Sequence, residues 1–205
     1  MADDLPAIVT EIDGAIAVIR FSRPRERNPL SLQTLHELQS GLFELALRRD
    51  VRAIIITGTD DVFASGANIR ELAQLDSTSA HNFSRLGQRI FQSIADASQI
   101  TIAAINGYCM GGALDLALAC DIRVASPTAI FAHPGASLGI ITGWGGTHRL
   151  PLVIGRTRAL ELFATARRID STEALSIGLV TAVADPVLAH ARATAVHLLH
   201  HNPST

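Results

Sequence analysis

A glycine-rich bend between an apolar strand and a helix start limits most strongly how this chain can fold. The apolar run Thr101–Ile105 predicts a buried strand, which leads through Asn106–Met110 into Gly111-Gly112-Ala113-Leu114-Asp115. Glycine lets a ligand approach the backbone, and unpaired N–H groups at a helix start favour negative charge. Asp115 follows Gly112 by about one helical turn on the same face. The stretch indicates either an oxyanion site beside an acid/base group or close helix–sheet packing through small residues.

The composition indicates one domain with a sizeable core. The chain has 205 residues, of which 48% are hydrophobic and 18% charged, which argues against disorder. No apolar run approaches the roughly 18 residues of a membrane span, and the acidic start lacks the features of a secretory signal. Cys109 and Cys120 lie in apolar segments, so we expect reduced thiols in a cytoplasmic protein. A net charge of -2 and 4% aromatic residues argue against nucleic-acid binding.

Strand and helix patterns alternate along the chain, which predicts an α/β core with parallel strands. Two alternating runs around Asp13-Gly14, ending at Phe21, predict a hairpin. The other predicted elements are a loop over Arg23–Pro29, a helix from Leu32 to about Arg48, a strand at Ala53–Thr57, a loop and helix over Ala64–Leu75, a helix over Ala80–Ala97, strands at Ile100–Ile105, Ile122–Ala125 and Ile130–Ala132, and mostly helix from Gly145, with a strand-like break at Gly178–Val183.

Two predicted strand ends are followed by glycine-bearing bends that open helices. These bends are Ser65-Gly66-Ala67-Asn68 and Gly111-Gly112. Ligands collect at the carboxyl ends of parallel strands, so we expect the two bends to lie near one site. One backbone N–H from each bend is then placed to bind the same oxygen atom.

The chain is similar to the crotonase (enoyl-CoA hydratase/isomerase) superfamily over nearly its whole length. The resemblance lies in Asn28-Pro29-Leu30, Phe63–Ile69, Asn106–Ala117, Cys120–Ala125, Leu138-Gly139, Gly145–Leu150 and Ala174–Val180. It implies a crotonase-like spiral of ββα units in one domain over 1–205. The spiral core then occupies about 1–185, and about 186–205 begin a C-terminal helical segment shorter than in relatives. The resemblance also implies a homotrimer or a dimer of trimers.

The resemblance assigns roles to residues of both bends. It implies that the N–H groups of Ala67 and Gly112 hold the oxygen of an acyl-CoA thioester, with Asp115 as acid/base. Coenzyme A is then part of the substrate, and no further cofactor and no metal is expected. The implied substrate-binding residues are Arg25, Arg27 and Arg70 for the coenzyme A tail, Gly66, Asn68 and Ile69 near the adenine, and Ala64 and Gly111. Solvated surface arginines are the alternative interpretation of the cations.

The main departure from the family pattern is Gly135, which stands where a hydratase carries its second glutamate. A positioned acid or base contributes roughly 10²–10⁴-fold, so its loss disfavours ordinary hydration and isomerisation. Asp115 acting alone through a water is one compensation. His133 is another, because its unperturbed pKa suits proton transfer near neutrality, although a loop histidine is more often structural. Trp144 either narrows the acyl pocket or packs over the glycine bend.

Two further expectations concern Asp115 and the C-terminus. Asp115 lies among apolar residues of its helix, so we expect a buried carboxylate with a raised pKa. The alternative is a carboxylate on the helix surface.

The chain ends at Thr205, where relatives continue, so we expect a weakened trimer or a more open pocket.

Three functions remain open from the sequence. The first is an enoyl-CoA hydratase-like lyase of fatty acid metabolism that acts through an oxyanion-stabilised enolate. The second is a protein that binds acyl-CoA with little or no turnover, as the glycine at position 135 suggests. The third is another enolate reaction of an acyl-CoA, such as isomerisation, decarboxylation or hydrolysis.

Overall fold

The chain opens with the predicted β-hairpin. The computed structural model describes residues 6–201. Strands β1 (Ile8–Asp13) and β2 (Ile16–Phe21) pair antiparallel, with Ile8 opposite Phe21. Gly14 in the turn has a φ of 56°, a left-handed value that glycine adopts without strain. Strand β2 is almost entirely buried, whereas β1 is exposed beyond Ile8 and forms the edge of its sheet.

Strands and helices then alternate to the end of the described region. The further strands are β3 (Pro29–Leu30), β4 (Ala53–Thr57), β5 (Val62–Ala64), β6 (Gly66–Ala67), β7 (Ile100–Ile105), β8 (Tyr108–Met110), β9 (Ile122–Ala125), β10 (Ile130–Ala132), β11 (Ile169–Asp170) and β12 (Ala182–Val183). The helices are α1 (Leu32–Ala46), α2 (Ile69–Leu72), α3 (Ser77–Ala95), α4 (Gly112–Ala119), α5 (Gly146–Ile154), α6 (Arg156–Thr165), α7 (Ser171–Ser176) and α8 (Val187–His201). Short 3₁₀ turns span Pro24–Glu26 and Pro134–Leu138.

The larger sheet has the strand order β1-β2-β4-β7-β9-β12. All its neighbouring strands pair in parallel except β1 with β2, which confirms the predicted parallel sheet. Strand β4 is buried at every position. Such continuous burial is typical of a parallel strand covered on both faces.

A second sheet, β11-β10-β8-β5, and the pair β3-β6 carry the two glycine bends. The turn expected over Asn106–Met110 is wrong for Tyr108–Met110, which form a strand. Buried Cys109 lies between Ala64 of β5 and Phe131 of β10, so this segment is a central strand. A run of three residues is too short to show a strand period, and the neighbouring glycines hid it.

The segment Ala64–Leu75 also differs from its prediction. Only Ile69–Leu72 forms a helix there, and Asn68 caps it by accepting a hydrogen bond from the Arg70 N–H. The residues before it belong to β5 and β6, because Gly66 and Ala67 pair with Pro29 and Leu30. The predicted loop over Arg23–Pro29 contains a 3₁₀ turn and the first residue of β3.

The longer helices bury one apolar face each. Helix α1 begins after Ser31, whose side chain accepts from the Thr34 N–H, and ends two residues before the predicted Arg48. Its buried leucines are Leu35, Leu38, Leu42 and Leu45. No helix within residues 6–201 is both long and apolar enough to cross a membrane.

Helix α8 completes a second, smaller core on one face of the large sheet. Val187, Ala191 and Ala195 of α8 are buried there. The sheet contributes Ile16, Val18, Ala53, Ile55, Ile102, Ala104 and Val124. The helix therefore belongs to the packed unit, and a boundary near residue 185 between a spiral core and a C-terminal region stays a prediction.

The packing of α8 leads to a stability prediction. Ala191 is 0% exposed, so Ala191→Asp buries an unpaired carboxylate against the sheet. We expect the free energy of unfolding to fall by about 3–5 kcal/mol in urea titrations. Ala193 is exposed on the same helix, so Ala193→Asp is the matched control and should stay within about 0.5 kcal/mol of the parent. Equal losses in the two variants would show that α8 is not packed as described.

Candidate active site

The two glycine bends meet at the start of α4. Gly66 has a φ of 85°. A methyl group on Gly66 would lie 2.6 Å from the carbonyl oxygen of Met110 and 3.1 Å from the backbone nitrogen of Gly112. Only glycine permits both this conformation and this approach. The segment that carries Ala67 therefore lies beside the start of α4, as the sequence predicted.

The start of α4 presents backbone N–H groups. Gly111 has a φ of 55°, and its N–H donates to the Ala132 carbonyl at 2.8 Å, which ties the bend to β10. Gly112 is the first residue of the helix, so its N–H has no acceptor one turn earlier in the helix. Both Gly112 and Ala67 are half-buried. The partial positive charge of the helix start favours an anionic oxygen at this position.

Asp115 is completely enclosed on the inner face of α4. Its side chain is 0% exposed, which excludes the surface interpretation. The Thr142 hydroxyl donates to Oδ2 of Asp115, and the Trp144 N–H lies 3.3 Å from the same oxygen. A side chain at Gly146 would overlap Oδ1 of Asp115, so that glycine makes room for the carboxylate.

The environment of Asp115 favours its protonated form. Burial raises the pKa of the carboxyl to about 6, while hydrogen bonds from Thr142, Gly146 and Trp144 and the charge of Arg149 act in the opposite direction. A carboxyl with a pKa near neutrality can both accept and return a proton. The predicted burial and raised pKa of Asp115 are confirmed.

His133 faces the other carboxylate oxygen of Asp115. Nε2 of His133 lies 3.4 Å from Oδ1 of Asp115. Both atoms are buried, and neither has a hydrogen-bond partner among the described residues. The imidazole packs against Phe163, with ring centroids 4.8 Å apart. The structure thus brings together two predicted site residues that lie on α4 and at the end of β10.

The protonation of His133 differs from the sequence expectation. Burial lowers the pKa of this imidazole to about 4, so the ring is neutral near pH 7. The expectation of an unperturbed pKa for His133 is therefore wrong, because the imidazole is enclosed. A neutral imidazole can hold or orient the carboxylate, but it is a poor proton donor at neutrality.

Gly135 is held in a tight turn that leaves no room for a side chain. The Ile140 N–H donates to the Gly135 carbonyl at 3.0 Å. A methyl group at Gly135 would lie 2.6 Å from the Ile140 carbonyl oxygen. The backbone of this turn therefore occupies the space into which a side chain at position 135 would begin.

Trp144 fills the space between α3 and α4. The indole is 3% exposed and packs against Phe83 and Phe91, with ring centroids 5.1 and 5.5 Å away. Side chains at Gly87 and Gly112 would overlap the indole. The packing of Trp144 over the glycine bend is therefore confirmed, because the ring lies directly against Gly112. The narrowing of an acyl pocket by Trp144 stays a prediction.

Polar residues of α3 that were not among the predicted site residues hold the loop that carries Trp144. The Ser84 hydroxyl and the Gln88 amide donate to the Gly143 carbonyl at 3.1 and 2.8 Å. Ser84 is half-buried and Gln88 is exposed, so on an amphipathic helix both look like ordinary polar surface residues. No local sequence signal distinguishes them.

The predicted coenzyme A residues lie around the first bend with different exposure. Arg25, Arg27 and Arg70 are exposed, and the Arg27 guanidinium lies 4.8 Å from the centre of the Tyr108 ring. Ile69 is 61% exposed, whereas Ala64 is 0% exposed and offers no side-chain surface. Within residues 6–201, no three His, Cys, Asp or Glu side chains are grouped so that they can hold a metal ion.

Comparisons with known proteins agree with this architecture. The family model described as enoyl-CoA hydratase/isomerase matches residues 11–205. A short-chain-enoyl-CoA hydratase from Clostridium acetobutylicum is 37% identical over 184 residues, which are 89% of this chain and 70% of that protein. A probable enoyl-CoA hydratase from Mycobacterium bovis is 40% identical over 193 residues, 92% of this chain and 73% of that protein.

Solved structures show the same fold. An enoyl-CoA hydratase from Bacillus anthracis superposes with a TM-score of 0.90 at 34% identity, covering 93% of this chain and 76% of that one. The spiral with two joined glycine bends is thus a crotonase fold, as the sequence predicted. This chain belongs to the enoyl-CoA hydratase/isomerase family.

The raised pKa of Asp115 leads to a prediction about stability and pH. Between about pH 4 and 6 the unfolded chain releases a proton that folded Asp115 retains, so the parent loses stability as the pH rises. A pKa of about 6 against the ordinary 3.8 corresponds, at about 1.36 kcal/mol per pKa unit, to about 3 kcal/mol. Asp115→Asn lacks this loss.

Urea titrations of the parent and of Asp115→Asn at pH 4 and pH 7 measure the effect. The free energy of unfolding of the variant should increase relative to the parent by about 2–3 kcal/mol between these pH values. His133 has the opposite pH dependence and lies 3.4 Å from Asp115, so both proteins carry His133→Gln in these titrations, which removes its contribution. A difference that stays constant over this range would contradict the burial of an ionisable Asp115.

Proposed function

We propose that this protein is an enoyl-CoA hydratase-like lyase that acts on an acyl-CoA thioester. The observation that carries the proposal is the buried carboxylate of Asp115, one helical turn after a glycine bend that meets a second bend at Gly66. Relatives at 37% and 40% identity are named as enoyl-CoA hydratases, which supports the same reaction class.

The thioester oxygen binds to the N–H groups of Ala67 and Gly112. As water adds to the β carbon, negative charge moves onto this oxygen and forms an enolate. Donors fixed in advance stabilise such charge strongly, and loss of one donor typically costs about 10²–10³ in rate. The helix start behind Gly112 adds to the stabilisation.

Asp115 moves the proton in both halves of the reaction. Its carboxylate takes a proton from the water whose oxygen bonds to the β carbon. The resulting carboxylic acid then returns that proton to the α carbon as the enolate collapses, so atoms and charge balance. A pKa of about 6 suits both directions. A single residue can thus perform both steps without a second carboxylate at Gly135.

His133 acts in this scheme as a positioning residue. Its neutral ring lies against Oδ1 of Asp115 at 3.4 Å, while Thr142 and Trp144 approach Oδ2. Hydrogen bonds therefore hold Oδ2, while the adjacent neutral ring limits the space around Oδ1, so the carboxylate is kept in one orientation.

Binding of acyl-CoA without turnover is the second candidate function. It is favoured by the complete burial of Asp115 and by the turn that leaves no room for a side chain at position 135. Both features limit the access of a catalytic water. Hydration and binding assays with crotonyl-CoA distinguish this function from the first.

The remaining properties extend the proposal. Arg25, Arg27 and Arg70 are exposed and are proposed to contact the coenzyme A phosphates. The free, buried thiols of Cys109 and Cys120 support a cytoplasmic location. Leu152 and Leu160 are 73% and 64% exposed, which supports a homotrimer or a dimer of trimers that covers them.

Hydration of crotonyl-CoA by the parent and by Asp115→Asn tests the proposal. Loss of the acid/base group should lower kcat by about 10²–10⁴-fold. Glu44→Gln removes an exposed carboxylate on α1 and is the matched control, with kcat unchanged. Equal rates in the parent and Asp115→Asn would remove Asp115 from the mechanism. Tight binding of crotonyl-CoA by a parent that does not hydrate it would establish the second function instead.

A further inference from the structure

The chain's single tryptophan is buried between the glycine bend at Gly112 and the carboxylate of Asp115. The thioester oxygen lies at the N–H of Gly112 in the proposed function, and the reacting carbons lie beside Asp115. Trp144 contacts both positions, since its ring packs on Gly112 and its backbone N–H donates to Oδ2 of Asp115. An acyl chain that continues past the β carbon in this direction meets the indole.

Two glycines on separate helices leave room for this indole because they have no side chain. Side chains at Gly87 on α3 or at Gly112 on α4 would overlap its atoms. Phe83 and Phe91 close the remaining sides, and the indole is 3% exposed. The gap between α3 and α4 is therefore filled by a protein side chain and has no room for a ligand beside it.

The contacts of the neighbouring backbone keep the indole in place. The Trp144 Nε1–H lies 3.4 Å from the Phe83 carbonyl, and Arg149 Nη1 lies 3.3 Å from the Trp144 carbonyl. Ser84 and Gln88 hold the preceding carbonyl of Gly143. Rotation of the ring out of the gap would break this packing and the contact of Nε1–H with Phe83.

We propose that Trp144 closes the acyl pocket between α3 and α4 and restricts this protein to acyl-CoA thioesters no longer than crotonyl. This inference rests on the proposed function, because it assumes that the thioester oxygen binds at Ala67 and Gly112. It adds the substrate class: short, unbranched acyl groups that end one carbon beyond the reacting pair.

Calorimetry with unreactive saturated thioesters tests the restriction without any need for turnover. Butyryl-CoA and octanoyl-CoA are titrated into the parent, Trp144→Ala and Trp144→Phe. One methylene in an apolar pocket is worth roughly 10–200-fold, so the parent should bind butyryl-CoA at least about tenfold more tightly than octanoyl-CoA. In Trp144→Ala the affinity for octanoyl-CoA should rise by at least about tenfold. Trp144→Phe keeps a large ring and is the matched control, with a smaller gain.

Each outcome of this experiment decides a different claim. Equal binding of the two thioesters by the parent, or no gain for octanoyl-CoA in a folded Trp144→Ala, overturns the restriction. No binding of either thioester by the parent would overturn the proposed function as well. If Trp144→Ala fails to fold, Trp144→Leu keeps an apolar side chain, leaves space for part of the chain and carries the same expectation.

A kinetic readout completes the test. The ratio of kcat/KM for octenoyl-CoA to that for crotonyl-CoA should rise by at least about tenfold in Trp144→Ala or Trp144→Leu. The N–H of residue 144 is retained in all these variants, so its contact with Asp115 is retained. A parallel fall for both substrates would indicate damage to the acid/base group and would contradict a role in chain-length selection.

Discussion

The close approach of Gly66 to the start of α4 is the contact on which the rest of the site depends. The missing side chain lets the backbone of one bend lie against Met110 and Gly112 of the other. Around this contact, β6 pairs with β3 while β8 lies between β5 and β10 in the second sheet. Backbone from two distant parts of the sequence therefore lies side by side at the start of α4. Any side chain at position 66 would separate them.

Asp115 and Trp144 are both buried beside this contact. The carboxylate is buried at a cost, since its pKa is raised to about 6, and hydrogen bonds from Thr142 and Trp144 offset only part of that cost. The same loop places the Trp144 indole against Gly112. One segment thus supplies hydrogen bonds to the Asp115 carboxylate and fills the space beside Gly112. Buried polar groups that are only partly satisfied are typical of sites kept for chemistry rather than for stability.

Much of the architecture could be predicted from the sequence. The hairpin, the parallel sheet, the burial of Asp115 and the meeting of the bends followed from periodicity, glycine and the family motifs. Tyr108–Met110 was missed because its pairing depends on β5 and β10, which are distant in sequence. The lowered pKa of His133 was also not predictable, because it results from burial against Phe163 and Asp115. Both the strand at Tyr108–Met110 and the pKa of His133 depend on tertiary contacts, which a local sequence pattern does not contain.

A crystal structure of this protein with bound butyryl-CoA would test most directly whether the two glycine bends hold the thioester oxygen. We expect the thioester oxygen to lie about 2.7–3.1 Å from the backbone nitrogens of both Ala67 and Gly112. We also expect the carboxylate of Asp115 to lie within reach of the α and β carbons, directly or through one water. A thioester oxygen bound by neither nitrogen, or an acyl group that lies on the far side of the bend from Asp115, would contradict this expectation.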